Sequence, residues 1–332
     1  MLSQTTITEL VHGVYPQWTV TAVDAVDQGL NQIYILQITA DEQVPQQIDR
    51  DEFPVILKYC TTTDPDIFRQ EPQILTQIAS ATDIPVPQIF GTGSTIDETP
   101  FFLMEYCDGE NYEGNMTTLS SDIQYHLAHT AGQHLAELHQ SWKFSHFGTI
   151  IADRDMLSVK ENDRGWPEYF STLVEHPLAS LENEEPFADL VPELRRTLTN
   201  SIKSLAGNFQ AKFAHNDYRL GNFLIEPETG RIRTVLDWES AIAAPPEYDL
   251  VKTEQLLCNY GSHDSEFRTR IRNGLQDGYT RNSTWPTRLE KQRDVYLLGT
   301  RLPAMQWMTQ WYTGSERNTA ETRHRQALAN LL

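Results

Sequence analysis

The stretch that most constrains this 332-residue chain runs from Lys212 to Glu239, because it arranges three oxygen-bearing side chains around one hairpin. Phe223-Leu-Ile225 and Ile232–Leu236 are built of the branched and aromatic residues that favour strands. Between them, Glu226-Pro-Glu-Thr-Gly230 has the composition of a tight loop. A hairpin here brings its outer ends together, with Asp217 and Asn222 at one end and Asp237 at the other. Oxygen donors converging at one sheet edge suit Mg²⁺, which takes oxygen ligands, keeps several waters and is completed by substrate phosphates. A polar loop merely capped by Asp and Asn leaves the carboxylate after the second apolar strand without a reason.

The charge balance narrows the partners. The chain carries 46 acidic and 26 basic residues, a formal charge of −20, which excludes general affinity for nucleic acid or an anionic membrane. Only 7 of the basic residues are lysine and 19 are arginine, a composition that fits a halophilic source, where concentrated salt screens the repulsion. Aromatic residues at 10% argue for folded domains rather than acidic disorder. Cys60, Cys107 and Cys258 lie far apart without a CxxC pair, so neither a thiolate zinc site nor a disulfide framework is expected. The first thirty residues hold Glu9, Asp24 and Asp27 and no basic start followed by an apolar run, so no signal peptide is expected. No apolar stretch approaches 18 residues. The expectation is a cytoplasmic protein, monomer or homodimer, with no membrane and no nucleic-acid partner.

Residues 1–104 read mainly as strands: Trp18–Val23, Ile33–Ile38, Pro54–Cys60, Gln88–Thr92 and Phe101–Tyr106. One helix follows the third strand, with Asp64 as cap, Pro65 in the first turn and Phe68, Glu71, Ile74, Leu75 and Ile78 at helical spacing. From Asp108-Gly109 onward the pattern turns helical, over 121–140, 187–206, 264–280 and 286–312. The predicted organisation is an α+β lobe over 1–104, a short crossing at 105–109 and a largely helical part over 110–332.

His215-x-Asp217-x4-Asn222 resembles the catalytic loop of the protein-kinase-like superfamily, and Asp237 stands where that superfamily has its second metal-binding aspartate. The pair Trp238-Glu239 replaces the Phe-Gly of protein kinases. Together with Pro246-Glu-Tyr-Asp-Leu250 it resembles the aminoglycoside phosphotransferases and their choline and sugar kinase relatives. The resemblance covers most of residues 18–255 and implies a bilobal protein-kinase-like fold: an antiparallel N-terminal sheet with one main helix, then a helical C-terminal lobe. It implies a phosphotransferase that uses ATP and Mg²⁺ on a hydroxyl of a small molecule. Asp217 is then the residue that orients or takes the hydroxyl proton, and Asn222 and Asp237 hold Mg²⁺. Lys58 contacts the α- and β-phosphates, paired with Glu71. Backbone groups at Glu105–Cys107 meet an adenine edge beside Met104, while Gly29 and Asn31 serve the phosphate loop Asp27-Gln-Gly-Leu-Asn31. A lone lysine inside Val-Ile-Leu-Lys-Tyr-Cys is costly to bury unpaired, and the next helix offers Glu71 as a partner; taken alone, the strand pattern favours a lysine on its exposed face.

Other clusters are weaker. His126, His129, His134 and His139 scatter around one helical cylinder and cannot converge on one ion. His215 is implied to orient the loop, and Asp249 to buttress it. Arg219 has two readings, on phosphate or on a carboxylate. Trp166-Pro-Glu-Tyr-Phe170 is either an acceptor contact or helix-packing core. The carboxylates Glu161, Asp163, Glu168 and Glu239 suit a cationic acceptor, although such groups are abundant on so acidic a chain. Eleven residues lie between Asp237 and Asp249, too few for the long segment that presents peptides to protein kinases. The alternatives are a non-catalytic nucleotide-binding protein on the same fold and a metal-dependent hydrolase using the same carboxylates.

Overall fold

A computed structural model describes residues 1–26, 29–40, 52–62, 64–153, 156–160, 164–183, 186–261 and 265–332, with nothing described of the Asp153 side chain. The chain divides into two compact units. The first comprises Met1–Gly109, Ile151–Leu157 and Arg233–Glu239, and the second the remainder.

The first unit opens with α1 (Gln4–Val14), followed by β1 (Thr19–Val26), β2 (Gln32–Thr39), β3 (Glu52–Tyr59), α2 (Pro65–Ala81), β4 (Ile89–Ser94) and β5 (Pro100–Glu105). The five strands form one antiparallel sheet in the order β1-β2-β3-β5-β4. Strand alternation sends Phe53, Val55 and Leu57 to one face, where they pack with Ile7, Leu10 and Val11 of α1. The opposite face carries Ile56, Cys60, Phe102 and Met104, packed with Phe68 of α2. The sheet is therefore covered on both faces, whereas the sequence suggested one helix. The extra helix was hidden because Gln4–Val14 is rich in threonine and β-branched residues, poor helix formers. Its apolar residues nevertheless recur at helical spacing, and the Ser3 hydroxyl accepts from Thr6 N at 3.1 Å to cap it. Asp64 caps α2 in the expected way, accepting from Ile67 N.

The helices of the second unit are α3 (Ser121–Ser141), α4 (Trp166–Leu181), α5 (Val191–Ser204), α6 (Pro246–Leu257), α7 (Glu266–Tyr279), α8 (Leu289–Trp311) and α9 (Gly314–Leu328). Among the described residues seven further strands follow: β6 (Lys143–Phe144), β7 (Gly148–Asp153), β8 (Met156–Val159), β9 (Ala211–Ala214), β10 (Phe223–Glu226), β11 (Arg231–Val235) and β12 (Ile242–Ala244). β10 and β11 form the expected two-stranded ribbon, its loop closed by Gly230 N donating to Glu226 O at 2.8 Å. A five-stranded sheet in the order β6-β9-β12-β7-β8 was not legible, because its strands are as short as two or three residues and too brief to show alternation. Helices α4 and α9 were also missed, while α6 was expected only through the resemblance, as the helix bearing Asp249. Pro177 interrupts the pattern of α4, and α6 is buried nearly all round, so it lacks a polar face to reveal its period. No helix among the described residues is long and apolar enough to cross a membrane.

Helices α3 and α7 cross at close range because glycines line the contact. A Cβ on Gly132 would run into the Leu275 carbonyl, and one on Gly278 into the His129 carbonyl. One on Gly274 would stand 2.8 Å from both Ala128 Cβ and Tyr125 O. Backbone cannot yield as a side chain can, so Gly278→Ala should cost about 1–3 kcal/mol, the usual range for overpacking. Urea unfolding read by circular dichroism checks this, and an unchanged midpoint would mean that the two helices have slack.

Candidate active site

In the first unit, Lys58 lies on the α2-facing side of β3, opposite Phe102 of β5, and is only 5% exposed. Its Nζ donates to Glu71 Oε2 at 2.6 Å, lies 3.3 Å from Asp237 Oδ1 and is 3.5 Å from Glu239 Oε2. The rings of Phe68 and Phe102 complete its surroundings. Three carboxylates thus face one ammonium. Burial pushes the Lys58 pKa down, but Glu71, Asp237 and Glu239 together outweigh it and the net displacement is upward. Glu71 is pushed up by its own burial, opposed by Lys58 and pushed further by the carboxylates of Asp237 and Glu239. Glu239 is raised for the same reasons.

The backbone around Asp237 is specialised. Asp237 sits at φ +62°, a conformation uncommon outside glycine but one that Asp and Asn tolerate best. The next residue is anchored firmly: Trp238 is fully buried, its Nε1 donates to Val235 O and its backbone N donates to Glu71 Oε1. Glu71, Asp237 and Glu239 each offer a carboxylate oxygen, and these atoms lie within 4.8 Å of one another. An all-oxygen set with surplus negative charge fits a hard cation such as Mg²⁺. Sequence reading placed Glu239 only among abundant surface carboxylates. Its position two residues after Asp237 was the available signal.

The Asn31 side chain is committed within the protein, its Nδ2 donating to Glu239 Oε2 at 3.2 Å and its Oδ1 accepting from Thr61 N at 3.1 Å. Gly29 adopts φ +87°, with nothing within 4 Å of where a Cβ would stand. Asp27 lies outside the described residues. At the end of β5, Glu105 N is taken by Gln88 O and the Glu105 carboxylate accepts from Gln88 N, leaving the Glu105 carbonyl near the Cys107 thiol. Burial is the largest influence on that thiol and raises it to about 11; Thr234 opposes and Glu105 and Asp108 add.

In the second unit, Asp217 and Asn222 are brought together. Asn222 Nδ2 donates to the Asp217 main-chain oxygen at 2.9 Å and to Asp217 Oδ2 at 2.8 Å. Arg219 Nε donates to the same Oδ2 at 3.0 Å, and its NH1 pairs with Glu113. Arg219 therefore binds carboxylates, and Glu113, which sequence reading missed, locks it. A Cβ on Gly221 would meet Glu113 Oε2 and Arg219 NH1, so a larger residue there would displace the ends of this ion pair. Among the described residues, hydrogen bonds to the Asp217 carboxylate all land on Oδ2, and the side chain keeps 29% exposure, so Oδ1 is available to a proton donor. The fully buried His215 accepts from Asp217 N at 3.3 Å through Nδ1. Asn216, at φ +66°, donates to Ser240 O and accepts at Oδ1 from Tyr248 OH and Lys252 Nζ. Burial lowers the Lys252 pKa, with Asp217 and Asp249 opposing, to about 8.

The helix histidines do not gather. His134 Nδ1 lies 2.6 Å from Tyr218 OH, and burial lowers the His134 pKa to about 4. His139 bridges the Tyr279 hydroxyl and Asp249 Oδ2. Trp166 and Phe170 are core, packed against Tyr248 and Tyr296. Glu168 is exposed, and Glu161 and Asp163 lie outside the described residues.

Removing the Lys58 ammonium would leave Glu71 buried among like charges. Lys58→Met should lose about 3–5 kcal/mol near neutral pH. A carboxyl whose folded pKa is raised binds a proton before its unfolded counterpart, so folded-state stability recovers as pH falls. Urea titrations at roughly pH 8 and roughly pH 5.5 should show the deficit shrinking at the lower value; a deficit that grows on acidification contradicts this electrostatic picture.

The family model described as "Phosphotransferase enzyme family" matches residues 47–290. Among solved structures, the chain is similar to the GDP complex of wild-type aminoglycoside 2'-phosphotransferase-IIIa, with TM-score 0.64, 14% identity and all of both chains covered. It is similar to a ternary complex of aminoglycoside phosphotransferase APH(4)-Ia with AMP-PNP and hygromycin B, with TM-score 0.65, 12% identity and 98% of each chain covered. A candidate fructosamine-3-kinase from Haemophilus somnus 129PT aligns with TM-score 0.63 and 14% identity, over 98% of this chain and 96% of that one. These likenesses show a shared fold. Among curated proteins, the chain is 22% identical over 175 residues to probable acyl-CoA dehydrogenase IBR3 of Arabidopsis thaliana, covering 51% of this chain and 20% of that protein. It is 25% identical over 189 residues to acyl-CoA dehydrogenase family member 10 of Mus musculus, covering 54% and 16%. The match therefore spans a fifth or less of those relatives.

Proposed function

The chain belongs to the phosphotransferase enzyme family, and from that premise we propose that it transfers the γ-phosphoryl group of ATP to a hydroxyl of a small molecule of aminoglycoside, choline or sugar type. The observation that carries the reading is the imbalance around Lys58, where three carboxylates surround one buried ammonium. A structural ion pair needs one carboxylate; the surplus serves a chain that binds a cation there.

Each residue then has a role. Lys58, held by Glu71, meets the α- and β-phosphates, and Asp237 with Glu239 beside it would hold Mg²⁺; the family resemblance also makes Asn222 a metal ligand. Mg²⁺, when bound, neutralises charge on the nucleotide phosphates. Asp217 Oδ1 takes the proton from the acceptor hydroxyl as that oxygen forms its bond to the γ-phosphorus and the bond to the ADP oxygen breaks. Asn222 and Arg219 fix the other carboxylate oxygen, so the base keeps one orientation. The rate gain comes from positioning and charge neutralisation rather than from a covalent intermediate on the protein. The backbone carbonyl of Glu105 and the segment to Cys107 receive the base of the nucleotide. Solved relatives whose names include kanamycin and hygromycin B support a polyhydroxylated acceptor.

Purified protein incubated with Mg·ATP and a panel of small alcohols, read by ADP release, tests the proposal. Release that requires an acceptor supports it; acceptor-independent release indicates a hydrolase, and no release a nucleotide-binding protein. Asp217→Ala should lower turnover roughly 10²–10⁴-fold while nucleotide affinity holds, whereas Asp237→Ala should weaken Mg·ATP binding itself. Equal turnover in the first variant, or unchanged binding in the second, removes the corresponding role.

A further inference from the structure

The residue ahead of Asp217 is held in place by a separate set of contacts. Asn216 has a backbone conformation that glycine adopts without penalty and that costs other residues energy unless the surroundings fix it. Here its amide side chain is fixed from both ends. Nδ2 donates to Ser240 O at 3.1 Å, and Oδ1 accepts from Tyr248 OH at 2.8 Å and Lys252 Nζ at 2.6 Å. Tyr248 and Lys252 lie one turn apart on α6, so they face the loop together. Tyr248 is itself rigid, with its ring packed against Trp166, Phe170 and Tyr296.

Lys252 is the unusual member. It is one of only 7 lysines in the chain, half-buried, and its hydrogen-bond acceptors are an amide oxygen and, at 3.4 Å, a hydroxyl. Among the described residues no carboxylate lies within ion-pair distance of it, although Asp217 and Asp249 act on it electrostatically. The ammonium also lies 5.7 Å from the centroid of the Tyr248 ring, but a half-buried ammonium whose hydrogen-bond acceptors are all neutral still carries a desolvation cost. The charge-assisted bond to the Asn216 side-chain oxygen offsets that cost, because it is stronger than a neutral one and holds the residue that precedes Asp217.

We propose that Lys252 and Tyr248 are positioning residues for the reaction, acting through the Asn216 side chain to hold the left-handed turn that aims Asp217. This rests on the phosphotransferase reading above. Lys252 touches neither nucleotide nor acceptor in this scheme, so its removal should change kcat and leave KM for nucleotide alone.

The test is a double-mutant cycle on the full chain between Lys252→Met and Asn216→Gly, with two readouts. Glycine retains the backbone conformation while deleting the side chain. Amide hydrogen exchange over 215–222 should be faster in Lys252→Met, with an unchanged melting temperature. Turnover should fall on the order of 10²-fold at unchanged nucleotide KM, and adding Lys252→Met to Asn216→Gly should lower it no further. Unchanged exchange overturns the proposal, as does faster exchange with unaltered kcat. Multiplicative losses in the double variant also overturn it, since Lys252 would then act independently of Asn216. If the wild-type chain transfers phosphate to no acceptor, the phosphotransferase reading fails, while the exchange measurement still decides whether the brace exists.

Discussion

The buried Lys58 ammonium is the interaction on which the rest of the first unit depends. Burying an ammonium requires compensation, and a single carboxylate at Glu71 would supply it. The chain instead adds Asp237 and Glu239, brings them close through a turn in a left-handed conformation, and anchors that turn with the buried Trp238. The sheet is built to make this possible. α1 takes the far face, so the near face can give up apolar packing to a charge cluster while the lobe keeps a core. Asn31, just ahead of β2, joins the same cluster through Glu239.

In the second unit the contacts fix the orientation of one carboxylate. Asp217 receives two donors on one oxygen, Arg219 is itself locked by Glu113, and Asn216 secures the backbone ahead of it. Asn216 and Asp237 both adopt positive φ without being glycine. Asn and Asp tolerate this conformation best, and at both positions side-chain or neighbouring-residue contacts hold it. The net charge of −20 makes the few buried or half-buried cations more informative than any carboxylate. Under the proposed function, a chain this acidic would meet an anionic nucleotide through local exceptions, with Lys58 as one of them.

Much of this was readable in the sequence. The hairpin from Phe223 to Val235 follows from two apolar runs flanking a Pro-Gly loop, and α2 from its Asp64 cap. The pairing of Lys58 with Glu71 comes from the family resemblance; the cost of burying a lone lysine is consistent with it, but the strand pattern alone allows an exposed lysine. What stayed hidden has physical causes. α1 is written in threonine and valine, whose propensity opposes the helix that tertiary packing imposes. The short strands of the second sheet are too brief for a period to show. Glu113 and Lys252 lie far from the catalytic loop in sequence and reach it only through the fold, so no local pattern could reveal them.

The central claim is that the carboxylate surplus around Lys58 exists to bind nucleotide through a divalent cation. Calorimetric titration of the protein with ATP, in Mg²⁺ and again in excess chelator, tests it most directly. The account predicts measurable binding with Mg²⁺ and a loss of affinity of at least about tenfold, or about 1.4 kcal/mol, without it. Equal affinity in the two conditions would contradict it.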